Sequence, residues 1–101
     1  MAVDYNAFYR TGAQDASNVF TPSEDIDIYV LADLSGSKYR NALREQLRDF
    51  VMDLEDFTQS FELEDDVNPL SAYRHWRTGW ITRATQIADE AVKRLREEQR
   101  E

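Results

Sequence analysis

Residues 25–57 constrain the fold more than any other stretch. Ile26, Ile28, Val30, Ala32 and Leu34 are apolar at every second position, and Asp25, Asp27 and Asp33 fall between them. Side chains on a strand alternate between its two faces, so this run predicts a half-buried strand over residues 26–32. Isoleucine, valine and tyrosine also suit a pleated surface. A competing cue precedes the run. Thr21-Pro22-Ser23-Glu24 has the form of a capping box with proline at the first helical position. Projected as one helix at about 100° per residue, however, Ile28, Leu31 and Ala32 fall opposite Ile26, Val30 and Leu34. Such a helix would be apolar on two faces. The strand is therefore the expectation, with at most one helical turn at residues 22–25. Asp33-Leu34-Ser35-Gly36-Ser37 makes the hinge and Ser37 caps the next helix. Tyr39, Leu43, Leu47, Phe50, Val51, Leu54 and Phe57 form that helix's apolar stripe.

The flanking stretches complete the pattern. Tyr5, Phe8 and Tyr9 share one helical face, with Asp4 as its cap and Gly12 as its stop, and Ala16, Val19 and Phe20 repeat the spacing. One or two short helices follow from this. Phe57, Gln59, Phe61 and Leu63 alternate with Thr58, Ser60, Glu62 and Glu64, which predicts a second strand over residues 58–63. Asn68-Pro69 opens the last helix, which runs to about residue 98. Its apolar arc holds Leu70, Tyr73, Trp76, Trp80, Ala84, Ile87, Ala88, Ala91 and Leu95. Gly79 interrupts that helix at a cost of ~1 kcal/mol relative to alanine, and it permits close approach of another backbone. Arg77 projects into the centre of the arc. The expected fold is one small α+β domain over residues 1–101: a short helical N-terminus, then strand, helix, strand and long helix. The alternative is an all-α bundle in which residues 22–34 are helical. Two strands do not stand alone as a sheet. Either residues 18–21 add a third strand, or two chains share an interface.

Composition limits the functions open to this chain. A chain of 101 residues makes one domain with a modest core. It has no cysteine and one histidine, His75, so disulfides, thiolate sites and multi-histidine metal sites within one chain are excluded. The N-terminus lacks the basic start and apolar run of a signal peptide, and no stretch is apolar enough to span a membrane. A cytoplasmic protein is expected. Net charge is −8 and unevenly spread. Residues 57–68 carry four acids and no base, whereas residues 69–101 carry seven bases and five acids. Such a field repels phosphate backbones and attracts basic surfaces.

Three stretches are candidates for chemistry. The hinge at residues 33–37, read with an apolar strand before it and a helix after it, resembles the first metal-site motif of von Willebrand factor A domains, Asp-x-Ser-x-Ser. The resemblance implies a divalent cation held by oxygens of Asp33, Ser35 and Ser37. It also implies a six-stranded doubly wound sheet and two later ligand loops, for which the chain after Ser37 is too short. The plainer reading is a strand-to-helix turn in which Gly36 takes the awkward dihedral angles. The second candidate is Tyr73-Arg74-His75-Trp76-Arg77-Thr78-Gly79-Trp80. Arginines interleaved with aromatics can stack on bases, but Tyr73, Trp76 and Trp80 lie on the apolar arc and read as core. Arg74 and Arg77 then serve a partner or an ion pair, with Arg77 reaching a carboxylate of the acidic half. His75 falls opposite the arc and is expected to be exposed. The third, Lys93, Arg94, Arg96 and Arg100, reads as a solvated helix end favoured by the helix dipole. Arg40, Arg44 and Arg48 interleave with Glu45, Asp49 and Asp53 as i, i+4 pairs.

No nucleophile, phosphate loop or dinucleotide loop is evident. The expectation is a non-enzymatic, cofactor-free, acidic protein-binding module. Asp25, Asp27, Glu62, Glu64, Asp65 and Asp66 form its partner-binding face. The partner is a basic, nucleic-acid-handling protein, and the module docks on it as a nucleic-acid mimic or inhibitor. Direct nucleic-acid binding is not expected. Two alternatives remain: a structural subunit of a larger or homo-oligomeric assembly, and divalent-cation-dependent binding at Asp33, Ser35 and Ser37.

Overall fold

The computed structural model describes residues 2–100. Six helices follow in order: α1 Asn6–Val19, α2 Pro22–Asp25, α3 Ile28–Ala32, α4 Gly36–Phe50, α5 Leu54–Ser60 and α6 Pro69–Gln99. No strand occurs among the described residues, so the α+β expectation is overturned and the fold is all-helical.

Residues 26–32 are not a strand because the chain breaks the helical run in two. Ile26 is extended, at φ −133° and ψ 166°, and Asp27 is non-helical, at φ −93° and ψ 86°. That break resolves the two-faced helix: α2 and α3 are separate pieces, with Ile26 buried between them and Leu31 buried from α3. Tyr29 and Val30 are 66% and 50% exposed. The aspartates that looked like a strand's polar face are caps. Asp25 Oδ2 accepts from the Thr21 N–H at 2.7 Å, and Asp27 Oδ1 accepts from the Val30 N–H at 3.1 Å. The backbone of Asp27 is pinned in turn, its N–H donating to Gln46 Oε1 at 2.7 Å.

Residues 58–63 are not a strand either. The stripe from Tyr39 to Phe57 splits at Val51, where φ −70° and ψ 139° end α4. Asp53 then caps α5 by accepting from the Asp56 N–H at 2.9 Å. Phe57 and Phe61 stack with ring centroids 4.6 Å apart. Four residues is one helical turn and also two strand repeats, so this pair satisfies both periods.

The spine is α6, 31 residues or about 46 Å long. It starts as expected: Asn68 Oδ1 accepts from the Ser71 N–H at 3.1 Å and Pro69 takes the first turn. Its buried face holds Ala72, Trp76, Gly79, Trp80, Ala84, Ala88 and Val92. Helix α1 climbs alongside it in the same direction. At the lower end the Asn68 N–H donates to the Tyr5 hydroxyl at 3.1 Å, and further up Arg83 Nε donates to Ser17 Oγ at 2.8 Å. Helix α3 reaches the upper end, where the Arg96 guanidinium donates to the carbonyls of Leu31, Ala32 and Leu34. Helix α4 then descends. Tyr39 near its top donates to Asp89, and the Phe50 ring at its foot lies 5.6 Å from that of Trp80. Helix α5 continues down to Trp76 and Tyr73. The result is an up-down-up bundle measuring 56 × 22 × 18 Å.

Two glycines set the α1–α6 crossing. A Cβ at Gly12 would lie 1.9 Å from the Trp76 carbonyl oxygen, and one at Gly79 would lie 2.0 Å from that of Tyr9. Gly12 is therefore the middle of α1 and not its stop. Gly79 has the close-approach role read from the sequence.

Candidate functional site

The six acids expected to form one face fall into two groups. Asp25 and Asp27 flank Ile26, and their carboxylates are engaged in capping. Glu62, Glu64, Asp65 and Asp66 lie on the loop between α5 and α6. All four are exposed, and no hydrogen bond from their side chains is found among the described residues. The two groups occupy different levels of the spine. Asp27 is tied to Gln46 in the middle of α4, whereas the loop leads into Asn68 at the foot.

The acidic loop is the larger part of a longer feature. Asp53, Glu55 and Asp56 on α5 are also exposed. Residues 53–66 thus carry seven acids and no base. The sequence reading divided this block at Phe57 because it ran one helix through Val51. The signal that could have joined the two parts is the absence of any cation from Asp53 to Asp66. Helix α5 holds the block in place through Phe57, which is fully buried between Phe8, Tyr73 and Trp76.

These charges are not neutralised from within. Among the described residues the one ion pair is Asp4–Arg10 at 3.2 Å, exposed on both sides. Arg77 is half-buried and meets no carboxylate, contrary to expectation. Arg74 is exposed, and its guanidinium makes no hydrogen bond or ion pair among the described residues. The pairs expected of Arg40, Arg44 and Arg48 do not form. His75 is half-buried, with Nδ1 2.8 Å from the Ser71 carbonyl oxygen and its ring stacked on Tyr5. Trp76 and Trp80 are core, as read from the sequence, and Trp76 Nε1 donates to Asp15 at 2.9 Å.

Asp33, Ser35 and Ser37 join two helices, so the strand-to-helix setting that carried their resemblance is absent. Gly36 does take the left-handed angle, at φ 58°. Ser35, not Ser37, occupies the cap position, without a side-chain bond. No group of three or more histidine, aspartate or glutamate side chains is placed to hold a metal ion among the described residues.

A second feature escaped the sequence reading. An open groove of about 660 Å³ runs between α4 and α6. Its walls carry Arg40, Arg44, Lys93 and Arg96 but one acid, Asp89, which is already bonded by Tyr39. Arg96 lies over the Tyr39 ring, 5.4 Å from its centroid. Burial, the bond to Asp89 and that carboxylate's charge raise the Tyr39 pKa well above the ordinary tyrosine value, with Arg96 opposing. Arg40 and Lys93 are far apart in the sequence, and only the antiparallel descent of α4 brings them together. No helix of the described chain is long and apolar enough to cross a membrane. No family model matches the chain, and no match is found among the curated proteins or solved structures compared with it.

Proposed function

We propose that the protein is a non-enzymatic docking module, working in the cytoplasm, that presents the acids of residues 53–66 to a basic, nucleic-acid-handling partner. The observation that carries this reading is the run of seven exposed carboxylates without an internal cation. A helix anchored by Phe57 holds two of them and is capped by a third, so less ordering entropy opposes their use than on a free tail. Like charges held close on one surface make a strong local field that a lysine- or arginine-rich groove matches. The module would occupy that groove in place of a phosphate backbone. Asp25 and Asp27 extend the acidic surface along the molecule.

The test uses a lysine-rich DNA-binding protein as the probe, with duplex DNA as competitor. Binding is expected to weaken steeply between low and physiological salt and to be displaced by DNA. Neutralising Glu62, Glu64, Asp65 and Asp66 to their amides should weaken it by about tenfold or more. Binding that ignores salt, or that survives the four substitutions unchanged, overturns the reading.

A further inference from the structure

We propose that a second copy of this chain docks in the α4/α6 groove, each copy's acidic block seated on the other's cations. The chain as a whole has 20 acids to 12 bases. Along the groove the balance inverts, with four cations to Asp89 alone. Arg40, Arg44 and Lys93 are exposed, and their side chains form no hydrogen bond or ion pair among the described residues. An acidic molecule with a cationic groove and an uncompensated acidic block holds both halves of an ionic contact.

Topology places the two halves where a pair can use them. The loop at residues 61–68 joins α5 to α6. It therefore bridges, at the foot, α6 and the short helix that continues the descent of α4. Helix α5 lies beside Tyr73 and Trp76, and the loop ends at Asn68. The acidic block thus sits against the first ~12 Å of the spine, and the groove borders Ile81 to Arg96, the upper ~22 Å. A two-fold axis crossing the seam near Ile81 lays two copies antiparallel and brings each block onto the opposite groove. The same contact is then made twice, as an isologous pair requires. Ile81, half-buried and lining the groove, lies at the axis level and gives the contact an apolar centre between its charged ends. Net repulsion between copies does not forbid this. At physiological salt charges are screened beyond about 8 Å, so touching groups outweigh distant ones. The pairing rests on the acidic block of the docking reading but on no outside partner. It would keep that block covered until a basic partner competes for it.

Sedimentation of the full chain tests the pairing. The 11.8 kDa mass should rise toward twice that value with concentration at about 0.05 M salt, and return to the monomer near 0.5 M. Two charge-reversed variants follow, one with Arg40→Glu and Arg44→Glu, the other with Glu62→Lys, Glu64→Lys, Asp65→Lys and Asp66→Lys. Each alone should stay monomeric, because block and groove then carry the same sign. An equimolar mixture should pair again, since both contacts of the mixed dimer join opposite charges. Helical circular dichroism confirms that both variants fold. A wild-type monomer throughout, a dimer that either variant keeps, or folded variants that fail to pair overturns the proposal. A monomer that still binds the lysine-rich protein removes self-association and leaves docking standing, and a dimer that ignores that protein does the reverse.

Discussion

Gly12 and Gly79 decide how closely α1 and α6 approach, and each is opposed by the other helix's backbone. Alanine at an ordinary helix position gains up to ~1 kcal/mol over glycine. Here the added methyl has nowhere to go, because a carbonyl cannot rotate aside as a side chain does. Gly12→Ala and Gly79→Ala should each destabilise the fold by on the order of 2–3 kcal/mol in urea melts, whereas Thr11→Ala on the exposed side of α1 should change little. Tyr39 gives a second test. The folded state holds its proton more tightly than the unfolded chain, whose tyrosine titrates near pH 10. Below that pH both states are protonated and the contribution is complete. Above it the unfolded chain releases its proton first, so stability falls as pH rises. Tyr39→Phe should lose about 1 kcal/mol at neutral pH with the bond to Asp89. It should also show a shallower decline between pH 10 and 11 in thermal melts.

Short helices are the hardest elements to read, because each offers barely one turn of pattern. From Pro22 to Ala32 the alternation of isoleucines and valine outweighed the capping box at Thr21. Asp25 and Asp27 look alike as polar spacers and as caps, and only the break at Ile26 distinguishes the roles. Phe57 and Phe61 misled for the reason that four residues fits either period. In contrast, the start of α6 at Asn68-Pro69 and the burial of Trp76 and Trp80 were legible, since a long stripe repeats its evidence at every turn. Helix α3 is held from outside by the Arg96 guanidinium and from its start by Asp27. Asp27→Ala should cost about 1 kcal/mol and speed amide exchange across residues 28–32 before the rest of the molecule opens.

At the scale of the molecule, charge was half legible. The acidic block can be counted along the sequence, but the groove requires Arg44 and Lys93 to meet across a descent that the wrong secondary structure could not produce. The up-down-up path also fixes the order in which the core becomes possible. The rings of Phe20 and Phe57 rest on a helix that begins at Pro69, Phe8 rests on Phe57, and Ser17 waits for Arg83. Synthesis runs from the other end. Most of the apolar surface made early lacks its main seat until residues 69–99 emerge, so a product cut short before α6 lacks the helix on which the others pack. Such fragments would be prey for proteases, and the cell would hold this protein either whole or not at all.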